Sequence, residues 1–229
     1  MAIKRKTTTQ TQVFRREGPQ AVRYDLSRPD CVTITIPIGS TWTSGLHWHE
    51  THTEYLQILQ GRAFVRLGHR SQEYDSSQDG AIEVPNFVVH EWHRVWGEED
   101  QEELIVREWT VPEDGKKEVF FRMLNSFLTE DHPGSLYKAP GMVPQRVMGW
   151  IEAWIVMLQL FAIFRSCDNW PVLVGDDSGL CSRSATHLVL AICTGIGYML
   201  GLRGIYQEYV KKDLVQRGRE AKIEKTKFR

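Results

Sequence analysis

The sequence is short of the features that announce most enzyme and scaffold classes. It has four cysteines in 229 residues, Cys31, Cys167, Cys181 and Cys193, with no CxxC pair among them. That spacing speaks against both a zinc ribbon and a dense disulfide framework. There is no GxGxxG after a strand-like run, no P-loop, no GxSxG elbow and no HExxH, so nucleotide chemistry and serine hydrolysis lose support. A surplus of charge is missing as well: 28 Lys and Arg against 29 Asp and Glu leave a formal charge of -1. Nucleic acid is therefore not expected as a partner. The N-terminal "MAIKRKTTTQTQVFRREG" is basic but has no apolar core of a secretory signal. With so few cysteines, a cytoplasmic, reducing setting is expected.

What is present divides near residue 115. Before it, short runs rich in Val, Ile, Thr and aromatics are separated by turn signals, among them "CVTITIPIG", "EYLQILQG", "AFVRLGH", "FVVHEWHRVW" and "ELIVREWTV". Many short strands at close spacing predict an antiparallel sandwich or barrel. From "GKKEVFFRMLNSFLTED" onward the apolar residues take helical spacing, with Val119, Met123 and Phe127 on one stripe. The expected organisation is an N-terminal extension over 1–29, a β domain over 30–112 and a helical tail over 113–229 with a basic C-terminus.

The tail carries two segments, Trp150 to Phe164 and Leu188 to Leu202, that are apolar around their whole circumference. Each needs either a protein interior or lipid. Fifteen helical residues reach roughly 22 Å, short of the ~30 Å bilayer core. Pro171, Gly175 and Gly179 in the connection predict an antiparallel hairpin over 149–203. Two destinations stay open for it: packed on the β domain, or in contact with the cytosolic face of an internal membrane.

The chemistry-bearing stretch is "GLHWHETHTEYLQILQG", Gly45 to Gly61. On a strand, residues two apart share a face, so His47 and His49 project together while Trp48 points away. After the turn "ETHT", Glu54 opens the next strand and can offer a carboxylate to the same interior. His90, in the run after the turn marked by Gly80 and Pro85, supplies a fourth ligand from a distant strand. Three neutral imidazoles and one carboxylate leave positions open on an octahedral divalent ion.

The spacing His47-x-His49-x4-Glu54-x6-Gly61, then 18 residues, then Gly80-x4-Pro85-x-Phe87-x2-His90, resembles the two motifs of the cupin superfamily. The resemblance covers about residues 30 to 110. It implies an all-β double-stranded β-helix, the cupin jelly roll, here with an α-helical C-terminal extension. It also implies that His47, His49, Glu54 and His90 are metal ligands, with Fe(II) the first choice of ion and Mn(II) or Zn(II) the alternatives. Phe87 stands where the family usually has Gly, Arg94 where it often has Asn, and the Gly80–Pro85 spacer is one residue short. With "FFRMLNSFL" after the β domain, the apolar pair of segments and the "GYMLGLRGIYQEY" ending, the whole chain resembles fungal cupin-domain proteins placed near polyketide synthases, including salicylaldehyde-type pathways. This implies a metal-dependent oxidoreductase acting on a small aromatic or polyketide-derived molecule in secondary metabolism. A redox-neutral isomerase, cyclase or dehydratase is the alternative, and a ligand-binding or accessory protein that docks on a synthase or membrane is another.

The remaining candidates have plainer readings. His52 is expected as an exposed loop histidine, and Glu50 as part of a solvent-facing turn. His93, three residues beyond His90, falls on the opposite face of a regular strand. His69, His132 and His187 have no partner at ligand spacing. Trp42, Tyr55, Trp92 and Trp96 suit a barrel core or rim.

Overall fold

The computed structural model describes residues 5–77, 80–97, 101–131, 145–175 and 179–218. The extreme N-terminus, His132 and most of the basic C-terminal run lie outside this set.

Alternation of apolar and polar residues drives the β part. Strands β3 (Cys31–Ile36), β5 (Thr53–Gln60) and β10 (Leu104–Val111) each bury every second side chain over most of their length, the pattern of a sheet with one face on a core. One sheet runs β1-β2-β3-β10-β5-β8, where β1 is Val13–Arg16, β2 Val22–Asp25 and β8 Ile82–Val84. The other runs β11-β4-β9-β6-β7, with β4 His47–Trp48, β6 Arg62–Leu67, β7 Arg70–Asp75, β9 His90–Arg94 and β11 Trp170–Pro171. Counted from β3, the first sheet contains strands one, eight, three and six, and the second contains two, seven, four and five. That order is the double Greek key of a jelly roll. Residues 13–25, ahead of the β domain as read from sequence, add two strands to its edge.

Between the sheets lie Ile34, Leu56, Val106, Trp92 and Tyr24, all at most 1% exposed. Trp42 and Trp92 are core residues, whereas Trp96 is on the surface and Tyr55 stacks on Trp109. His93 stacks between Phe64 and Trp96, away from the other histidines. The four cysteines are free thiols.

Helix α1 (Lys116–Leu128) buries Val119, Met123 and Phe127 as its periodicity predicts, against Ile163, Tyr206, Tyr209 and Val210. Helices α2 (Gln145–Ser166) and α3 (Leu180–Met199) form the hairpin. Leu158 clusters with Leu202, while Phe161 and Phe164, further along α2, share a cluster with Leu190, earlier in the return. The contacts therefore run in opposite directions along the two helices. Both are longer than their apolar segments, 22 and 20 residues, because helix continues into flanking residues that sequence hydropathy does not mark. Gln159, a polar residue within α2, is fully buried, donating to the Arg203 carbonyl at 2.8 Å and accepting from the Tyr206 hydroxyl at 2.7 Å.

The hairpin has two unlike sides. Its inner side covers Trp48 and Val89 on the outer face of the second sheet, through Trp170 and Leu190. Its outer side is uncovered: Trp150, Trp154, Leu188, Ile192 and Met199 are all exposed. Only 28% of the most apolar stretch of each helix is buried.

Gly61, between β5 and β6, has φ +74°, and a Cβ there would lie 2.5 Å from the Glu103 carbonyl oxygen. Gly61→Ala is expected to cost about 1–3 kcal/mol, through left-handed strain and the clash together, read as a lowered urea midpoint at unchanged slope.

Candidate metal centre

The four residues singled out by spacing come together. Their ligand atoms all lie within 4.8 Å of one another, and all four side chains are buried. The topology produces this directly. His47 on β4 and His90 on β9 are partners across an antiparallel pair, so their rings share a face, with centroids 4.2 Å apart. His49 follows two residues later on that face, and Glu54 reaches in from β5 of the opposite sheet.

The hydrogen bonds fix which nitrogen of each ring faces inward. His47 Nδ1 contacts the Gly45 carbonyl at 2.7 Å, His49 Nδ1 the Asp168 carbonyl at 2.6 Å, and His90 Nδ1 the Val88 carbonyl at 3.0 Å. A carbonyl only accepts, so each Nδ1 carries the hydrogen in the neutral ring and each Nε2 is a bare lone pair. Burial, reinforced by the neighbouring imidazoles, holds His47 well below the usual imidazole range. Burial also lowers His49, against the pull of Glu54. His47 and His49 are therefore neutral. Two ring nitrogens face a carboxylate: His49 Nε2 is 2.9 Å from Glu54 Oε2, and His90 Nε2 is 3.2 Å from Glu54 Oε1. His90 Nε2 and Glu54 Oε1 have no hydrogen-bond partner. Acceptors aimed at acceptors in a buried site are stable only around a cation, and an imidazole whose other nitrogen donates to a carbonyl is the usual metal-ligand arrangement. The residues therefore fit a divalent metal ion.

Several residues outside the motif complete the site. Lys117, at the start of α1, enters the barrel and contacts both Glu54 and Glu108. Burial alone would raise the Glu54 carboxyl, but the Lys117 ammonium overrides it and holds the group well below the usual range. Glu108 is pushed up to about 7 by burial and by the Glu54 charge, with Lys117 opposing.

His52 is buried, not exposed as its loop position suggested. Its Nδ1 lies 2.7 Å from Asp168 and its Nε2 3.2 Å from Asp114, and these two carboxylates draw the ring inward. Asp168 has φ +58° and lies between α2 and β11. Its carboxylate also accepts from the Glu50 and Thr51 amides, the Thr51 hydroxyl and the Trp170 indole. Glu50 is only partly exposed and is paired with His187 at 2.7 Å, so neither residue is idle. Spacing could not reveal Lys117, Glu108 or Asp168, since each lies in a segment distant in the chain from the histidine motifs and stands at no ligand interval from them.

The turn before His90 explains one departure from the family pattern. Phe87 has φ +65°, the left-handed region that favours Gly, and its amide donates to the His49 carbonyl at 2.6 Å. Arg183 of α3 lies over the Phe87 ring and donates to its carbonyl. The bulky residue keeps the turn and adds a contact to the hairpin. Arg94 donates from Nε to the Glu102 carbonyl at 2.8 Å, at the end of β9.

A cavity of about 230 Å3 opens beside the cluster, with His47 and Glu108 in its wall and α1 and α2 across from the first sheet.

The sequence matches no family model and no curated protein. Among solved structures it is similar to the capsular polysaccharide assembling protein CapF from Staphylococcus aureus, at 17% identity and a TM-score of 0.34 over 43% of this chain and 28% of that one. KdgF from Halomonas sp. matches at 17% identity and 0.32, over 42% of this chain and 84% of its own. A variant of oxalate decarboxylase OxdC from Bacillus subtilis matches at 17% and 0.32, over 41% and 26%. The aligned part thus spans under a third of the CapF and OxdC chains. At these values the likenesses bear no weight on activity, and the jelly roll stands on its own strand order.

Two outcomes are expected from substitution here. His47→Ala and His90→Ala should each abolish stoichiometric metal binding, measured by elemental analysis after dialysis, with circular dichroism showing a folded barrel. Asp168→Ala should weaken metal binding about 10–100-fold, by loosening the carbonyl that orients His49. It should also cost about 3–5 kcal/mol in chemical denaturation, because His52 loses its buried counter-charge.

Proposed function

We propose that this chain is a metal-dependent enzyme of the cupin type, acting on a small molecule held in the cavity beside His47. The observation that carries this reading is the convergence of three imidazole lone pairs and one carboxylate on one buried point. A divalent ion bound there supplies a Lewis acid with open positions for substrate or dioxygen, Fe(II) being the first choice and Mn(II) or Zn(II) the alternatives. His47, His49 and His90 hold that ion through Nε2, and Glu54 through its carboxylate. Lys117 keeps Glu54 ionised and ties it to Glu108, while the α1–α2 side of the cavity shields the site from water.

Oxidoreduction of an aromatic or polyketide-derived intermediate is the leading reaction, supported by the aromatic lining of the cavity and by the resemblance of the whole chain to fungal cupin-domain proteins. Redox-neutral isomerisation, cyclisation or dehydration at the same ion is the second reading, and a non-catalytic ligand-binding role the third. Elemental analysis should find one divalent ion per chain, removable by chelator, and Fe(II)-loaded protein should consume dioxygen in the presence of substrate. Turnover without dioxygen would move the assignment to the redox-neutral reading. Metal content indifferent to His47→Ala and His90→Ala together would end both.

The uncovered side of the α2–α3 hairpin supports a location as well. We propose that it rests on the cytosolic face of a bilayer, in the plane of the interface rather than across it, because the inner side of the same helices is committed to the barrel. The exposed indoles of Trp150 and Trp154 suit the headgroup boundary. Full-length protein should float with phosphatidylcholine and phosphatidylserine vesicles, and Trp154→Glu combined with Ile192→Glu should reduce the bound fraction at least tenfold. A detergent-free dimer that buries this face and ignores vesicles would overturn the location.

A further inference from the structure

The wall of the cavity beside the metal centre carries His47 and Glu108 together with Arg16 of β1 and Tyr24 of β2. Arg16 Nη2 donates to the Tyr24 hydroxyl at 2.7 Å, which fixes the plane of the guanidinium, yet Arg16 Nε is buried with no partner. No carboxylate among the described residues pairs with Arg16, and the one carboxylate in the cavity wall, Glu108, is held by Lys117. The Arg16 guanidinium carbon also lies 5.3 Å from the Tyr24 ring centroid; a guanidinium does not shed its charge, so its unmatched N–H suits an anionic acceptor from outside the chain. The rest of the wall combines aromatic rings, Trp42 on the barrel side and Phe120, Phe121 and Phe164 on the helical side, with aliphatic residues of α1 and α2 and the polar Thr43, Ser44 and Asn169. At about 230 Å3 the space falls below the ~300–1,000 Å3 of drug-sized sites, room for one or two rings.

We propose that the cavity takes a planar aromatic carboxylate, its ring between the aromatic walls, its carboxylate on the Arg16 fork, and its far edge turned toward the ion held at His47. Arg16 is then the specificity determinant and Tyr24 its positioning residue. The proposal rests on the reading of the cluster as a metal-dependent catalytic centre, and it deepens that reading by assigning the class of substrate.

The test is calorimetric titration of 2-naphthoate and of its methyl ester into metal-loaded and chelator-treated full-length protein, with metal content measured on every sample. The acid should bind at least about tenfold more tightly than the ester, the margin of a charge-assisted bidentate pair. Arg16→Leu should erase that preference, and Arg16→Lys should retain part of it, because an ammonium keeps the charge without the fork. Tyr24→Phe, which keeps the wall and removes only the hydroxyl, should reduce the preference and serves as the check should Arg16→Leu fail to fold. An acid preference that survives Arg16→Leu but vanishes on chelation would place the carboxylate on the ion and overturn the proposal while leaving the metal-enzyme reading intact. Equal binding of acid and ester, or no binding of either, overturns it too. Absence of metal from every sample with the Arg16-dependent preference preserved would instead fault the metal-enzyme reading alone.

Discussion

A buried carboxylate faced by three imidazole lone pairs is the constraint on which the rest of the structure depends. Glu54 is fully buried, and the ring nitrogens nearest to it have no hydrogen to give. Isolated charge in an apolar interior is costly, so the surroundings must supply compensation. Lys117 provides one positive charge from α1. The convergent Nε2 atoms define the place for another, and the backbone carbonyls of Gly45, Val88 and Asp168 hold the rings in the orientation that keeps it so.

One of those carbonyls comes from outside the barrel, and this makes the helical part integral to the site. Asp168 serves it twice, with its carbonyl on His49 and its carboxylate on the loop that carries Glu50, Thr51 and His52. β11 then adds itself to the edge of β4, pairing Trp170 with Trp48 and Pro171 with His47. The strand that presents His47 on its inner face is thereby covered on its outer face by the hairpin. A barrel that looks self-sufficient in its strand order has its metal end closed by residues more than a hundred positions away.

The same coupling gives the hairpin its two-sided character. Helices that served only as a lid would present polar residues to water, as amphipathic surface helices do. Here the outer side stays apolar, and Arg183 reaches from α3 to Phe87 in the turn before His90. The outer side is thus linked, through Arg183, to the turn that precedes a residue of the candidate metal centre.

Much of the β domain was legible in the sequence because its signals are local. Alternation marked β3, β5 and β10, and the two motifs marked His47, His49, Glu54 and His90, since a period of two places residues on one face without reference to the rest of the chain. The stripe of α1 and the hairpin were legible for the same reason, from periodicity and turn chemistry. His52 was misread as exposed because its burial depends on Asp114 and Asp168, and proximity of that kind leaves no trace in spacing. Phe87 looked like a flaw in a motif, while the fold shows the left-handed turn kept with a side chain that Arg183 covers. The sequence by itself marked the principal strands of the jelly roll, β3, β5, β6, β9 and β10, and the four side chains that can meet in its interior. Only the tertiary structure decided that Lys117, Glu108 and Asp168 surround them, because such charged residues acquire a role from the long-range packing of sheets and helices and not from their neighbours in the chain.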